Sequence, residues 1–176
     1  MNCRLIKLTK EYEKSLGEMI EEWKLDQEIN HTNHSPSAIF KNDYRDFAYY
    51  LEHLDYIVPD GKYVPGTTLF LLDVDRNRLI GAVNIRHYLN DNLLKTGGHI
   101  GDGIRPSERR KGYGTEIIRL ALIECQKLGI DKVLITCDKD NIGSKKAIIK
   151  NGGVLENEVV EDDGSIVERY WVAINK

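Results

Sequence analysis

One stretch of this chain leaves little freedom for the rest. Ile117, Ile118, Ala121, Leu122, Cys125 and Leu128 recur at helical spacing over 113–128, and Gly129 stands where a left-handed residue closes a helix. Directly before it runs Arg109-Arg110-Lys111-Gly112-Tyr113-Gly114-Thr115, a basic turn with two glycines. Before that, Gly98–Ile104 reads as a glycine-interrupted strand ending at Arg105-Pro106. A strand feeding through a tight turn into a one-faced helix must lay that helix on a sheet. The chain is therefore committed to layers of both kinds.

The remaining periodicities fill in the order. Residues 3–8 predict a strand, and Thr9 an N-cap for a helix over 10–25 with Leu16, Met19, Ile20 and Trp23 on one face. Residues 28–37 read as polar loop. A second helix is predicted over 41–54, with Tyr44, Phe47, Leu51 and Leu54 in register, then a loop through Pro59, Gly61, Pro65 and Gly66. Thr67–Val74 and Leu79–His87 read as a hairpin around Asp75-Arg76-Asn77-Arg78, and 89–96 as loop. Lys132–Cys137 is a β-rich run and Asn141–Asn151 a short helix stopped by Gly152-Gly153. Val154–Val160 and Ile166–Ile174 form a closing antiparallel pair. The order β-α-α-β-β-β-α-β-α-β-β is that of an α/β (α+β) domain with a mixed sheet, not a dinucleotide-type alternation.

No linker or repeat divides the 176 residues, so one domain over 1–176 is expected. With 25 basic against 28 acidic residues the net charge is -3, and a dedicated nucleic-acid binder is not expected. No apolar run reaches membrane-span length, and the N-terminus lacks a signal-peptide core. Cys3, Cys125 and Cys137 form no CxxC pair; they read as small apolar residues in a reducing cytoplasm, without metal or disulfide.

The turn at 109–115 carries the chemistry. The first N–H groups of a helix have no internal acceptor, and that end of the helix dipole is positive, so an anionic phosphate satisfies both. Glycines let the backbone approach the anion, and Arg109, Arg110 and Lys111 add positive charge. Neither the G-x-G-x-x-G fingerprint nor the G-x-x-x-x-G-K-[ST] loop is matched.

Arg109-x-x-Gly112-x-Gly114 is similar to the R/Q-x-x-G-x-G/A signature of the GNAT superfamily of acyl-CoA N-acyltransferases. The phrase Gly98-His99-Ile100-Gly101-Asp102-Gly103-Ile104-Arg105-Pro106 resembles that family's fourth strand. Asn141-Ile142-Gly143-Ser144 and Lys150-Asn151-Gly152-Gly153 resemble its N-x-x-S/A … K-x-G-F/G segment. The resemblance implies a mostly antiparallel twisted sheet of about seven strands with about four helices, splayed between strands 4 and 5. It implies transfer of an acetyl group from acetyl-CoA to an amine of a small molecule, peptide or protein, without an acyl-enzyme. Backbone near Ile104 would pair with the pantetheine arm. The N–H groups of Arg110, Lys111, Gly112, Tyr113, Gly114 and Thr115 would hold the pyrophosphate, and Asn141, with Ser144 beside it, the pantetheine amide region. For Asn141 a plain N-cap is the alternative. Gly97, Gly98, Gly101 and Gly103 are compatible with a bulged strand.

The chemistry needs a neutral amine, a stabilised oxyanion and a proton for the leaving thiolate. His99, by its pKa class, and Asp102 are the candidate bases. Ile148 stands where the family often carries a tyrosine acid. That departure leaves open an alternative, a CoA-binding sensor or partner module with little catalysis. Tyr170 is a weaker acid candidate. The acceptor end would draw on the early helices, their loop and the last hairpin. His31 and His34 there read as solvated loop rather than metal ligands; Tyr44, Tyr49, Tyr50 and Tyr56 read mainly as core or rim, and Glu161-Asp162-Asp163 as a solvated turn. Such folds often pair through their C-terminal strands, so a homodimer is compatible.

Overall fold

The structure is a computed structural model that describes residues 1–57 and 63–174; Pro59 and Gly61 of the expected loop lie outside them. The strands are β1 (Cys3–Ile6), β2 (Gly66–Asp73), β3 (Arg78–Arg86), β4 (Ile100–Ile104), β5 (Lys132–Asp138), β6 (Val154–Val160) and β7 (Ile166–Ala173). The α-helices are α1 (Glu13–Asn30), α2 (Phe47–Glu52), α3 (Tyr113–Lys127) and α4 (Ile142–Lys150).

The strands form two antiparallel sheets, β1-β2-β3-β4 and β5-β7-β6. The first is covered on both faces, which explains the unbroken apolar run Leu69-Phe70-Leu71-Leu72 in β2. Leu69 and Leu71 join Ile117, Ile118, Ala121 and Cys125 of α3 in one core cluster. Phe70 and Leu72 join Leu16, Met19, Ile20 and Trp23 of α1 in the other. The stripes read from the sequence are thus the buried ones, except that Leu122 is only partly buried and Leu128, just past the end of α3, is exposed.

Several boundaries moved, each for a local reason. α1 begins at Glu13 after a 3₁₀ turn, Lys10–Tyr12, in which Thr9 makes no side-chain cap. It runs to Asn30, past its last apolar anchor, because Asp26 is held from outside by Arg109 at 2.7 Å. The helix expected over 41–54 shrinks to α2. Asp43 accepts from Arg45 N at 3.1 Å, a local turn that competes with helix, and Asp46 then caps α2 through Tyr49 N at 3.2 Å. A π-helical turn, Leu93–Gly97, occupies part of the expected loop. β4 pairs with β3 in unbroken register from Ile104↔Gly81 to Ile100↔Ile85, so the bulge anticipated from its glycines is not formed.

The two sheets meet at one point. His99 N donates to Leu134 O at 2.7 Å, and Leu134 N donates to the imidazole Nδ1 of His99 at 2.9 Å. A side-chain nitrogen here stands in for the backbone carbonyl of a regular ladder. Beyond this seam no ladder links β4 to β5 among the described residues. The sheets part there, as the splayed arrangement requires.

Candidate active site

The gap between β4 and β5 is a cavity of about 940 Å³. One end is the basic glycine turn at the start of α3. The other reaches Trp23 of α1 and the loop 31–35, with β4, β5 and the start of α4 forming its length.

The turn leaves backbone donors unpaired. Arg110 (φ 62°) and Gly112 (φ 89°) are left-handed, so the chain folds back and its N–H groups converge. Glycine takes this conformation freely; an arginine does so at a cost that a fixed turn must hold. No acceptor among the described residues takes the N–H of Arg110, Lys111, Gly112, Tyr113 or Gly114. The side chains divide the labour differently from what their charges suggest. Arg109 bonds Asp26 with Nη1 at 2.7 Å and the Ile104 carbonyl with Nε at 3.2 Å. Lys111 bonds Glu108 at 3.0 Å, and Tyr113 OH reaches Asp73 at 3.3 Å. Lys111 and Tyr113 point away from the cavity and can offer it only backbone. Arg110 lines it and has no ion-pair partner among the described residues.

A buried carboxylate anchors the turn from behind. Glu108 is 2% exposed and takes Arg76 through two bonds, of 2.8 and 3.0 Å, with Arg78 at 3.1 Å and Lys111 at 3.0 Å. These donors, Arg76 first, pull its pKa down to about 2 against the cost of burial.

Ile104, Gly114, Thr115, Asn141 and Ser144 all lie on the cavity wall. Asn141 does act as the N-cap of α4, its Oδ1 accepting from Ser144 N at 3.1 Å; its amide nitrogen has no protein partner among the described residues. Ile148 is fully buried in the core and off the cavity. Tyr170 is also buried, its hydroxyl bonded to Glu168 away from the cavity. Among the described residues no tyrosine lines the cavity.

The two candidate bases separate. His99 is 6% exposed and does not line the cavity. Its Nδ1 is occupied by Leu134 N–H, so in the neutral ring Nε2 carries the hydrogen and has no lone pair to offer. Burial, then the charge of Arg86, push its pKa down to about 4. His99 is thus a seam residue, and the expectation of a base is corrected by what its ring nitrogens do. Asp102 faces the cavity in the middle of β4, on the face of Ile100 and Ile104. Removal from water pushes its pKa up to about 7, opposed by Arg86. It lies within the range useful to a base at neutral pH.

Further residues complete the wall. Cys137, read as core, belongs to the core cluster and also reaches the cavity. Its thiol is pushed up to about 11, mainly by burial with help from Glu168, so it stays protonated at neutral pH. His31 and Asn33 of the loop, and Glu161 of the last hairpin, also reach the cavity, whereas Tyr44, Tyr49, Tyr50 and Tyr56 do not. Arg86 faces it too. Nothing in a lone arginine at the end of an apolar strand marks it in sequence. No cluster of three or more metal-type ligands occurs among the described residues.

Comparison with known proteins bears on this geometry. The chain resembles, over its whole length, a microcin C7 self-immunity acetyltransferase, MccE, solved with acetyl-CoA and AMP (20% identity, TM-score 0.68, 98% of this chain and 93% of that one). It also resembles RimL, a ribosomal L7/L12 α-N-protein acetyltransferase solved with coenzyme A (15%, TM-score 0.66, 99% and 95%). A spermidine N-acetyltransferase chimera from Vibrio cholerae and a second source is a third such fold (15%, TM-score 0.62, 98% and 96%). No curated protein sequence matches the chain. The acetyltransferase (GNAT) domain profile matches residues 13–154, from α1 through the turn and α4 to the start of β6, and the chain belongs to that family.

Proposed function

We propose that the protein is an N-acetyltransferase that moves the acetyl group of acetyl-CoA to an amine, all within one domain. The observation that carries this is the cavity between β4 and β5, with unpaired N–H groups at one end and Asp102 midway. The pyrophosphate binds the free N–H groups from Arg110 to Gly114, with Arg110 adding charge; the Thr115 N–H, expected among them, is taken by the Gly112 carbonyl at 3.1 Å. Asn141, through its free amide nitrogen, and Ser144 steady the pantetheine arm, as do backbone groups near Ile104. Asp102 accepts the proton of the incoming amine, which must be neutral to attack. The leaving thiolate takes its proton from water, since Ile148 replaces the usual tyrosine and, among the described residues, no tyrosine lines the cavity.

The same absence supports the second reading, a CoA-binding module with little catalysis. A panel of amines, peptides and ribosomal proteins with acetyl-CoA, followed by release of free CoA thiol, separates the two. Amine-dependent release supports transfer. Tight acetyl-CoA binding with only amine-independent hydrolysis overturns it in favour of the module. Nucleic acid and membrane play no part in this reading; no described helix is long and apolar enough to cross a bilayer. The edge strand β6 exposes Val154, Leu155 and Val160, which supports a homodimer through the C-terminal sheet, checked by light scattering.

A further inference from the structure

The acceptor half of the cavity contains a cation with almost nothing to hold. Arg86 ends β3, and its guanidinium lies flat over Gly101 of β4. A Cβ at Gly101 would sit 3.0 Å from both Nη1 and Nη2, so the slot exists because that position is glycine. Arg86 is paired in register beside His99, at the point where the sheets part. Its side chain makes one hydrogen bond among the described residues, from Nη1 to the Gly97 carbonyl at 3.3 Å. Among the described residues no carboxylate lies within ion-pair distance of it, although Asp102 is near enough for each to feel the other's charge. Burial opposes its charge strongly enough to lower its pKa. A guanidinium has five N–H donors in a planar fork. Left largely unpaired in a recessed site it is costly, and a planar anion relieves that cost with two parallel bonds.

We infer that Arg86 is a specificity residue that grips a carboxylate on the acceptor, so that the substrate is a zwitterionic, amino-acid-like amine rather than a polycation or a simple alkylamine. The inference rests on the acetyl transfer proposed above and names the acceptor class of that same site. The placement fits the chemistry. The amine must reach Asp102 and the carboxylate must reach Arg86, and the two side chains line the same cavity close enough to feel each other's charge. An α-amino acid carries its two charges in the opposite arrangement to this pair. A polyamine would bring a second cation against Arg86 and would be repelled.

The test uses the full-length protein, acetyl-CoA and matched trios of acceptors: the common L-amino acids, their carboxamides and the corresponding decarboxylated amines, with spermidine as polycation. Thiol release is measured at fixed pH. The expected result is that kcat/KM for at least one acid exceeds that of its amide and its decarboxylated amine by about 10- to 100-fold, the worth of a charged hydrogen bond. The amide's amine is the less basic and starts with more of the neutral form, which makes preference for the acid the stricter outcome. In Arg86→Gln the acid-to-amide ratio should collapse towards one through KM for the acid, with Arg86→Lys intermediate. Equal use of acid and amide, or preference for spermidine, overturns the inference while leaving acetyl transfer standing. No release with any amine overturns acetyl transfer itself. If Arg86→Gln fails to fold, the wild-type trios still decide.

Discussion

Asp102 lies within β4 and His99 just before it, and burial shifts their pKa values in opposite directions. A carboxyl raised to about 7 is a working base above that pH. Asp102→Asn should lower kcat about 10²- to 10⁴-fold and remove the acid limb of the pH–rate profile near 7, as read from stopped-time assays across pH 5.5–9. The same shift has a stability consequence of determinate sign. The folded pKa lies above the unfolded value of 3.8, so the relative stability is fully present below about 3.8 and lost as pH rises through about 7. Asp102→Asn should therefore melt higher than the parent at pH 8, with the gap closing as pH falls towards 4. An inactive variant that is also less stable at pH 8 would contradict the assignment. Sequence named both residues as candidates and put His99 ahead by its intrinsic pKa. The rank depends on which ring nitrogen Leu134 occupies and on which face of β4 opens into the cavity. Arg86 was invisible for the same reason, since its role depends on the empty place at Gly101.

The strand–turn–helix element was legible because its signals are local: glycines, charges and a helical stripe within about thirty residues. What holds the turn was not, because Arg76, Arg78 and Asp26 come from distant segments. Two substitutions separate geometry from charge. Gly112→Ala places a Cβ at φ 89° and should cost about 1–2 kcal/mol in stability while leaving measurable acetyl-CoA binding. Gly112→Asp adds a carboxylate where the phosphate belongs and should abolish binding by calorimetry. Equal affinity in the two variants would remove the turn from the site. Behind the turn, Glu108→Gln strips the charge that Arg76, Arg78 and Lys111 share. It should destabilise by about 3–5 kcal/mol in urea unfolding at pH 7, as expected when one partner of a buried ion cluster is lost. Because the Glu108 pKa falls from 4.5 to about 2, its contribution is present above about 4.5 and is lost as pH falls through 2. The difference between parent and variant should shrink over that window. The shortened α2 shows the converse lesson. Asp43 and Asp46 were readable as turn and cap formers, yet the apolar spacing of Tyr44, Phe47, Leu51 and Leu54 outweighed them.

At the scale of the molecule, two sheets share a seam one residue wide. Periodicity predicted the strands, and only the family resemblance predicted that they part. His99→Ala should leave Leu134 N–H without its acceptor and cost about 1–3 kcal/mol. His99→Asn can present an amide oxygen to the same N–H and should recover most of this. The depressed imidazole pKa means that stability is present above about 6.5 and lost as pH falls towards 4. His99→Asn should abolish that loss in melting curves while leaving the pH–rate profile unchanged; a shifted profile would return His99 to the chemistry. Asp26 spans the molecule in another way. Its carboxylate holds Arg109 of the phosphate turn at 2.7 Å and Thr32 of the acceptor loop at 2.9 Å. The two ends of the cavity are thereby hinged on one side chain. Whatever factor acetyl-CoA applies to amine affinity through that hinge, the amine must apply to acetyl-CoA affinity in return.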